Sequence, residues 1–510
     1  MKILLIVGYR VFLHPLRNFP GPFAARFTSA YGTFFVWRRT FHIDSLRLHE
    51  KYAGPVVRIA PNRLIFNSAT ALQDMYNNPK VVKGSSYSTQ RQSAKGTPNL
   101  FNTIDKEAHS KKRRIIGPVI SERSMRVFEP DMLRQIDAFL LRLLRSSRID
   151  KFVNTTPPCE RLAVDIIGQL AFGYPLNTQN DPTHRVIVEG LKTRGRRSSL
   201  YFFWPDLKIL EPLFNWIEGK NTLDGLYRSV RTMIQARMAI PKDAKHDFFA
   251  LASGKLSTRE PGLISKDLWA EAVFFIAAGG STTSTALSGM FFYLSRNPDV
   301  YARLASEIRS TFSSRCDIRA GHELHNCKYL RAVIDETMRM SPSSLGPAWR
   351  SQDPASIAAG EVFTVDGHVI PPGTQVGSSR YAVQHNEAFF PEPFKFQPER
   401  WLSSEDDSPE DQEARAAMRR AFAPFSLGDR SCAGKAMAYL EMSLTIAKTM
   451  WYFGFKKTPG EAGNLGETLG RPDEFQLYYS LVVENDGPNL VFTPRGEHWR
   501  DLEPSDSTSL

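Results

Sequence analysis

Cys432 stands in the stretch FSLGDRSCAG, Phe425 to Gly434, two residues after Arg430 and flanked by Gly428 and Gly434. The helical pattern that follows, KAMAYLEMSLTIAKTM from Lys435 to Met450, would place the partial positive charge of a helix end beside the sulfur and so favour its thiolate. Glycines let a backbone approach a flat partner closely. A thiolate in such a loop is a metal ligand. No second Cys or His lies at ligand spacing nearby, which disfavours zinc and points to a metal that arrives with its other ligands.

Haem iron with one axial thiolate meets that requirement. Two further patterns precede the cysteine loop. Glu336-Thr337-Met338-Arg339 sets a carboxylate and a guanidinium three residues apart, on one face of a helix. Phe396-Gln397-Pro398-Glu399-Arg400-Trp401 adds a second arginine. In this order, Phe425-x-x-Gly428-x-Arg430-x-Cys432-x-Gly434, the E-x-x-R helix and the P-E-R-W segment resemble the signatures of the cytochrome P450 family.

The resemblance implies haem b with Cys432 as axial ligand, and Phe425, Arg430 and Gly434 as parts of its cradle. Glu336, Arg339 and Arg400 would form a buried network behind the cysteine. Arg350, in GPAWRSQ, matches a basic position that the family uses for the haem propionates, and His109-Ser-Lys-Lys-Arg113 stands where the family has W-x-x-x-R. The histidine in place of tryptophan is a departure that leaves His109 a propionate donor, with Arg113 beside it. Lys111 and Lys112 of the KKRR run read as a solvated basic face.

Oxygen chemistry falls to a long apolar stretch from Ser265 to Asn297-Pro298, about 45 Å if wholly helical. Its Ala278-Gly279-Gly280-Ser281-Thr282-Thr283 resembles the family's A-G-x-(D/E)-T-T. There the glycines would loosen the helix into a bulge beside the iron, and Thr282 would guide protons. Ser281 replaces the acid. A hydroxyl relays a proton but does not supply one near neutral pH. Three readings therefore stay open: a monooxygenase; a related enzyme that rearranges, couples or dehydrates without inserting oxygen; and a haem-binding sensor or carrier.

The elements that must position these residues are mostly helical. With 510 residues, 42% hydrophobic and 23% charged, and with no repeat or Gly/Ser linker, the chain reads as one large domain. The expected fold is mainly α with small β sheets (α+β), which the resemblance turns into a triangular helical prism holding haem between the long central helix and the cysteine-loop helix. KYLRAVIDETMRM (328–340) forms a helix that presents Leu330, Val333, Ile334 and Thr337 on one face and stops at Pro342. Hairpins are expected at Pro55 to Asn67 and, around Asp366-Gly367, at Glu361 to Val376. SSEDDSPEDQEARAA (403–417) reads as an acidic loop. The implied substrate walls are residues 85–105, the aromatic run 198–216, Phe274, Phe275, Ala278, Ser344 to Pro347 and Leu477 to Tyr479. Phe202, Phe203 and Trp204 have two readings, pocket wall or lipid contact.

The first 18 residues, MKILLIVGYRVFLHPLRN, are apolar but interrupted by Arg10, and a bilayer span takes about 20 apolar residues. They are expected to lie in the membrane interface, with a truncated anchor and a buried first element as alternatives. Residues 19–497 would be the haem domain and 498–510 a polar tail. Four scattered cysteines fit a reducing compartment. The excess of 65 Lys and Arg over 53 Asp and Glu suits a membrane surface or an acidic partner, and no basic-aromatic interleaving favours nucleic acid. By resemblance the chain is a monomer on the cytosolic face of the endoplasmic reticulum. It would oxidise an apolar small molecule, a fungal secondary metabolite of terpenoid, polyketide or alkaloid type. Electrons would come from an NADPH-cytochrome P450 reductase, with cytochrome b5 as a second donor. Lys111, Lys112, Arg419, Arg420 and Lys435 would offer the basic docking face.

Overall fold

The computed structural model describes residues 2–90, 97–149, 151–217, 221–241, 244–245, 247–252 and 261–503. Its axis is the helix Pro261–Arg296, which ends where Asn297 donates its backbone N–H to Tyr293 O and Pro298 begins the next helix. The expected cap at Ser265 lies among side chains outside the described ones. Against this axis packs Thr156–Phe172, a helix apolar on nearly all sides. The approach is close: a Cβ on Gly279 would stand 2.7 Å from Ile167, and one on Gly280 2.8 Å from Val164. The Gly279-Gly280 pair therefore serves helix-to-helix contact. The bulge expected there is absent, and the helix runs through it without a break.

Lys328–Met340 and Lys435–Tyr452 pack on the same axis, and Glu122–Ile149 closes the bundle from outside. Leu330, Val333, Ile334 and Thr337 are buried as the periodicity requires.

The largest sheet has five strands, in the order Val56–Ala60, Arg63–Phe66, Gln375–Ser378, Arg350–Gln352, Val81–Lys83. Val56 to Phe66 is the expected hairpin, turning at Pro61-Asn62. The second hairpin is smaller than expected. Thr364–Val365 pairs with His368–Val369 through Asp366 at φ 49° and Gly367 at φ 75°, the pair of left-handed residues a tight hairpin turn needs. Gln375–Ser378 leaves it to join the large sheet.

Three boundaries shift. Residues 409–421 form a helix where a loop was expected, because Ser408 and Asp411 make a reciprocal capping box, Pro409 opens the first turn and alanines continue it. At the amino terminus His14 and Leu16 are already buried, and His14 bonds Asn62 at 2.9 Å, so the packed body starts before Phe19. At the other end His498–Leu502 is a 3-10 turn whose neighbour Arg148 lies 4.5 Å over the Trp499 ring and pairs with Glu503. The rest of the tail, 504–510, lies outside the described residues.

Candidate active site

The loop around Cys432 is shaped by its own backbone. Ser426 donates its N–H to Ala423 O, Ser431 to Gly428 O and Cys432 to Phe425 O, at 2.8 to 3.0 Å. Gly428 takes φ 65°, and a Cβ there would meet Tyr76 O at 2.4 Å, so that position has room for glycine alone. Gly434 has no such strain; it precedes the helix Lys435–Tyr452, and a Cβ on it would come 3.9 Å from the sulfur. The Phe425 ring rests 5.1 Å from that of Tyr439.

Cys432 is reached by solvent, yet burial raises its thiol pKa against the opposing pull of the Gly434 N–H, Arg113 and Arg380. Accessible surface combined with poor solvation describes a group on the wall of an internal cleft. The helix end expected to favour the thiolate does not outweigh burial. A cation placed at the sulfur reverses that balance, because a coordinated thiol is deprotonated outright.

A second set of residues faces the same region from other elements. Helix Lys106–Ile116, capped by the Asp105 side chain on Ala108 N–H, carries His109 and Arg113. Arg113 donates to Ser431 O at 2.8 Å, directly beside the cysteine. Arg430 donates to the carbonyls of Thr103, Ile104 and Asp105. Arg350, 3% exposed, donates to the nearby carbonyls of Ala348 and Trp349. Lys83, which nothing in the sequence singled out, joins them with its Nζ on Leu100 O and Phe101 O.

Among the described residues none of these four cations has a carboxylate partner, and they repel one another. Burial first, then Arg430, Lys83, Arg113 and Arg350, push the His109 pKa down to about 3, which leaves its imidazole neutral. Burial and Arg350 lower Arg430 to about 10. So much uncompensated positive charge suits a dianion. A flat cofactor with two carboxylates and a metal for Cys432 fits this donor set.

Lys112 is corrected: it is largely buried and pairs at 2.9 Å with Glu271, itself fully buried. It belongs to the core and contributes nothing to a solvated basic face.

On the central helix, Ser281 donates its hydroxyl to Ala277 O and Thr282 to Ala278 O, both at 2.6 Å. Both residues are half-buried, unlike Thr283 to Thr285 beyond them. Above them an aromatic wall joins the expected pocket segments. Tyr87 packs 5.0 Å from Phe202 and 5.2 Å from Phe101, Phe101 stacks at 5.9 Å on Phe274, and Phe203 lies 6.1 Å from Tyr479. Phe202 and Phe203 are buried among these rings and so present no face to lipid, while Trp204 is half-exposed. Residues 91–96 of the expected wall lie outside the described residues.

The expected network of Glu336, Arg339 and Arg400 is formed. Glu336 takes both Arg339 bonds at 2.9 Å, Arg400 at 3.1 Å, the Trp401 indole N–H at 2.9 Å and the Gln397 N–H at 3.0 Å. Arg339 in turn holds the carbonyls of Gln384 and Pro393. Burial drives the Glu336 pKa upward, but Arg339 and Arg400 together win and lower it. Trp401 was a missed member; its position in P-E-R-W was the available signal.

Sequence comparison agrees with this geometry. The family profile described as Cytochrome P450 matches residues 30–468. The cytochrome P450 monooxygenase apf7 of Gibberella fujikuroi is 33% identical over 96% of each chain. The cytochrome P450 monooxygenase atnE of Emericella nidulans is 33% identical over 95% of this chain and 93% of its own. The monooxygenase poxM of Penicillium oxalicum is 34% identical over 96% and 92%. With a family profile matched over most of its length and relatives matched nearly end to end, the chain belongs to the cytochrome P450 family of oxidoreductases.

Proposed function

We propose that this protein is a haem-thiolate monooxygenase that oxidises an apolar small molecule, a fungal secondary metabolite by class. Cys432 would hold the iron of haem b. His109, Arg113, Arg350 and Arg430 would hold the propionates, with Phe425 and Gly434 lining the sulfur side. When bound, the group supplies dioxygen activation, its thiolate ligand donating electron density toward O–O cleavage.

What the chain's own residues do follows from their positions. The aromatic wall of Tyr87, Phe101, Phe202 and Phe274 excludes water and holds an apolar, ring-bearing ligand. Thr282 and Ser281 are the hydroxyls on the cleft side of the central helix, and each already donates to a helix carbonyl. Each therefore accepts a hydrogen bond from the cleft and passes a proton only by rotating its own O–H away from that carbonyl. Glu271, ten residues earlier on the helix, is held by Lys112 and by Leu100 N–H. Proton delivery then rests on water and hydroxyls.

Electrons would come from an NADPH-dependent reductase, with cytochrome b5 as a second donor, docking on a basic face that keeps Lys111, Arg419, Arg420 and Lys435 but not Lys112. Exposed apolar side chains support a seat on the cytosolic face of the endoplasmic reticulum membrane. They are Leu5, Phe12 and Leu13 near the amino terminus, Trp37, and Ile209, Trp216 and Ile217 in the segment that follows the Val186–Phe203 helix. No helix among the described residues is long and apolar enough to cross a membrane.

The observation that carries this reading is the solvent-reached, poorly solvated Cys432 near Arg113, Arg350, Arg430 and Lys83, cations without a carboxylate partner among the described residues. Its test is spectroscopic. The reduced protein with carbon monoxide should show the red-shifted Soret band of thiolate ligation, and Cys432→Ser should abolish it; a variant that keeps the band refutes the ligand. Incubation under labelled dioxygen with reductase, NADPH and a metabolite library giving spin-state shifts then decides oxygen insertion. Ser281 in place of an acid favours the second reading, transformation without insertion, if product forms free of label.

A further inference from the structure

Lys83 ends the edge strand Val81–Lys83, and antiparallel pairing sets it directly opposite Arg350. Opposed residues in such a pair bring their Cβ atoms within about 5.5 Å, where like charges destabilise the sheet. Both side chains are buried, Lys83 at 6% and Arg350 at 3% exposure. Lys83 meets the carbonyls of Leu100 and Phe101 and lies 5.0 Å over the Tyr87 ring and 5.4 Å over that of Phe101. Those contacts orient an ammonium without neutralising it. The carboxylate that acts on it, Glu271, is engaged by Lys112 and by the Leu100 N–H.

A buried lysine facing a buried arginine costs stability unless an anion bridges them, since neither charge has a carboxylate partner among the described residues. The direction of the Lys83 pKa agrees: burial and then Arg350, Arg430 and Arg113 lower it well below its ordinary value. The charged form is thus the one an added anion would restore. The remaining cations of the cluster sit on other elements, Arg113 against Ser431 and Arg430 against Thr103 to Asp105, so the strand pair forms its own side of the cradle.

We propose that Lys83 and Arg350, joined by strand register, clamp one haem carboxylate between them, making Lys83 a cofactor-positioning residue. This rests on the haem-thiolate reading of the site. Lysine contributes a movable point charge and arginine a planar fork, a combination that holds a carboxylate from two directions.

The test measures haem transfer from the holoprotein to excess apomyoglobin, for wild type, Lys83→Met and Lys83→Arg, each loaded with haem or with haem dimethyl ester, whose carboxylates carry no charge. Lys83→Met should release haem at least about tenfold faster, as loss of a charge-assisted bond implies. Lys83→Arg should recover most of that difference. With the dimethyl ester, wild type and Lys83→Met should release at equal rates. Equal acceleration for both cofactors would show a packing role and overturn the proposal, as would an unchanged rate for haem. A wild-type protein that takes up haem without the thiolate band would instead sink the Cys432 assignment and leave the carboxylate clamp to be judged by the ester comparison.

Discussion

Thr282 commits its one hydroxyl proton to Ala278 O, a bond that must break before the group can donate toward the cleft. Replacing it by alanine leaves the helix intact, since alanine is the better helix former, while removing the acceptor. Thr282→Ala should therefore keep NADPH consumption but lower product per NADPH several-fold, with peroxide making up the difference. Unchanged coupling would remove the role. Ser281 makes the same backward bond, so neither hydroxyl is preset as a donor. His109 differs in kind: burial and its four cationic neighbours push its pKa down to about 3, so it is as a neutral imidazole that it would offer one ring N–H to a carboxylate. Substitution by tryptophan, the residue the family uses there, keeps a donor of that type. Cys432 shows how a residue's chemistry depends on its partner, because burial raises its thiol pKa whereas a coordinated metal ion would deprotonate it.

The elements explain residues that motif reading placed for another reason. Gly279 and Gly280 lie in a segment that resembles a proton-guiding motif, yet their want of a side chain is demanded by Ile167 and Val164 on the facing helix. Gly280→Ala gains helix propensity of roughly 1 kcal/mol and incurs an overpacking cost of about 1 to 3 kcal/mol. The net result should be a lower melting temperature. In a Val164→Ala background the same change should cost less, because the Cβ then has space; full additivity of the two would show that the contact is not what limits the site. The helix 409–421 makes the converse point. Its acidic composition looks loop-like, while its start is written plainly in Ser408-Pro409-Glu410-Asp411. The capping box, a local signal, outweighs composition.

At the scale of the whole molecule, Glu336 and Arg339 tie the helix Lys328–Met340 to the segment from Gln384 to Trp401, and the Trp401 ring packs 4.5 Å from Phe422, three residues before Phe425. The Glu336 carboxylate is fully buried and its pKa lies below the ordinary value. A depressed carboxylate stabilises the fold at pH above its unfolded pKa and loses that contribution as pH falls through the folded one. Acid unfolding should accordingly begin below the ordinary Glu range of about 4.3, with haem release accompanying it. Glu336→Gln strands Arg339 and Arg400 and should cost about 3 to 5 kcal/mol, read by denaturant unfolding and haem retention. A loss under about 1 kcal/mol, the range of an exposed pair, would show the network to be peripheral. The exposed apolar residues belong to this scale too. Ile209→Ser with Trp216→Ser should sharply reduce cosedimentation with phospholipid vesicles while leaving the reduced-CO spectrum unchanged; undiminished binding would place membrane contact elsewhere.

Local chemistry along the chain was enough to determine the helix-rich class, the turns of both hairpins, the E-x-x-R helix and Cys432 as a candidate metal ligand, while resemblance to the family singled out Glu336, Arg339, Arg400, His109, Arg113, Arg350 and Arg430 as residues to watch. Periodicity, turn residues and motif spacing are properties of neighbouring positions, and such neighbours are visible without a fold. Tertiary structure alone decided that Lys83 stands opposite Arg350, that Lys112 is sequestered by Glu271, that the glycine pair answers to Ile167 and Val164, and that Phe202 and Phe203 face inward. Each of these depends on what lies across a strand or helix interface from residues far away in the chain. Burial and charge repulsion, which set the chemistry of the cleft, arise only once those distant partners are brought together.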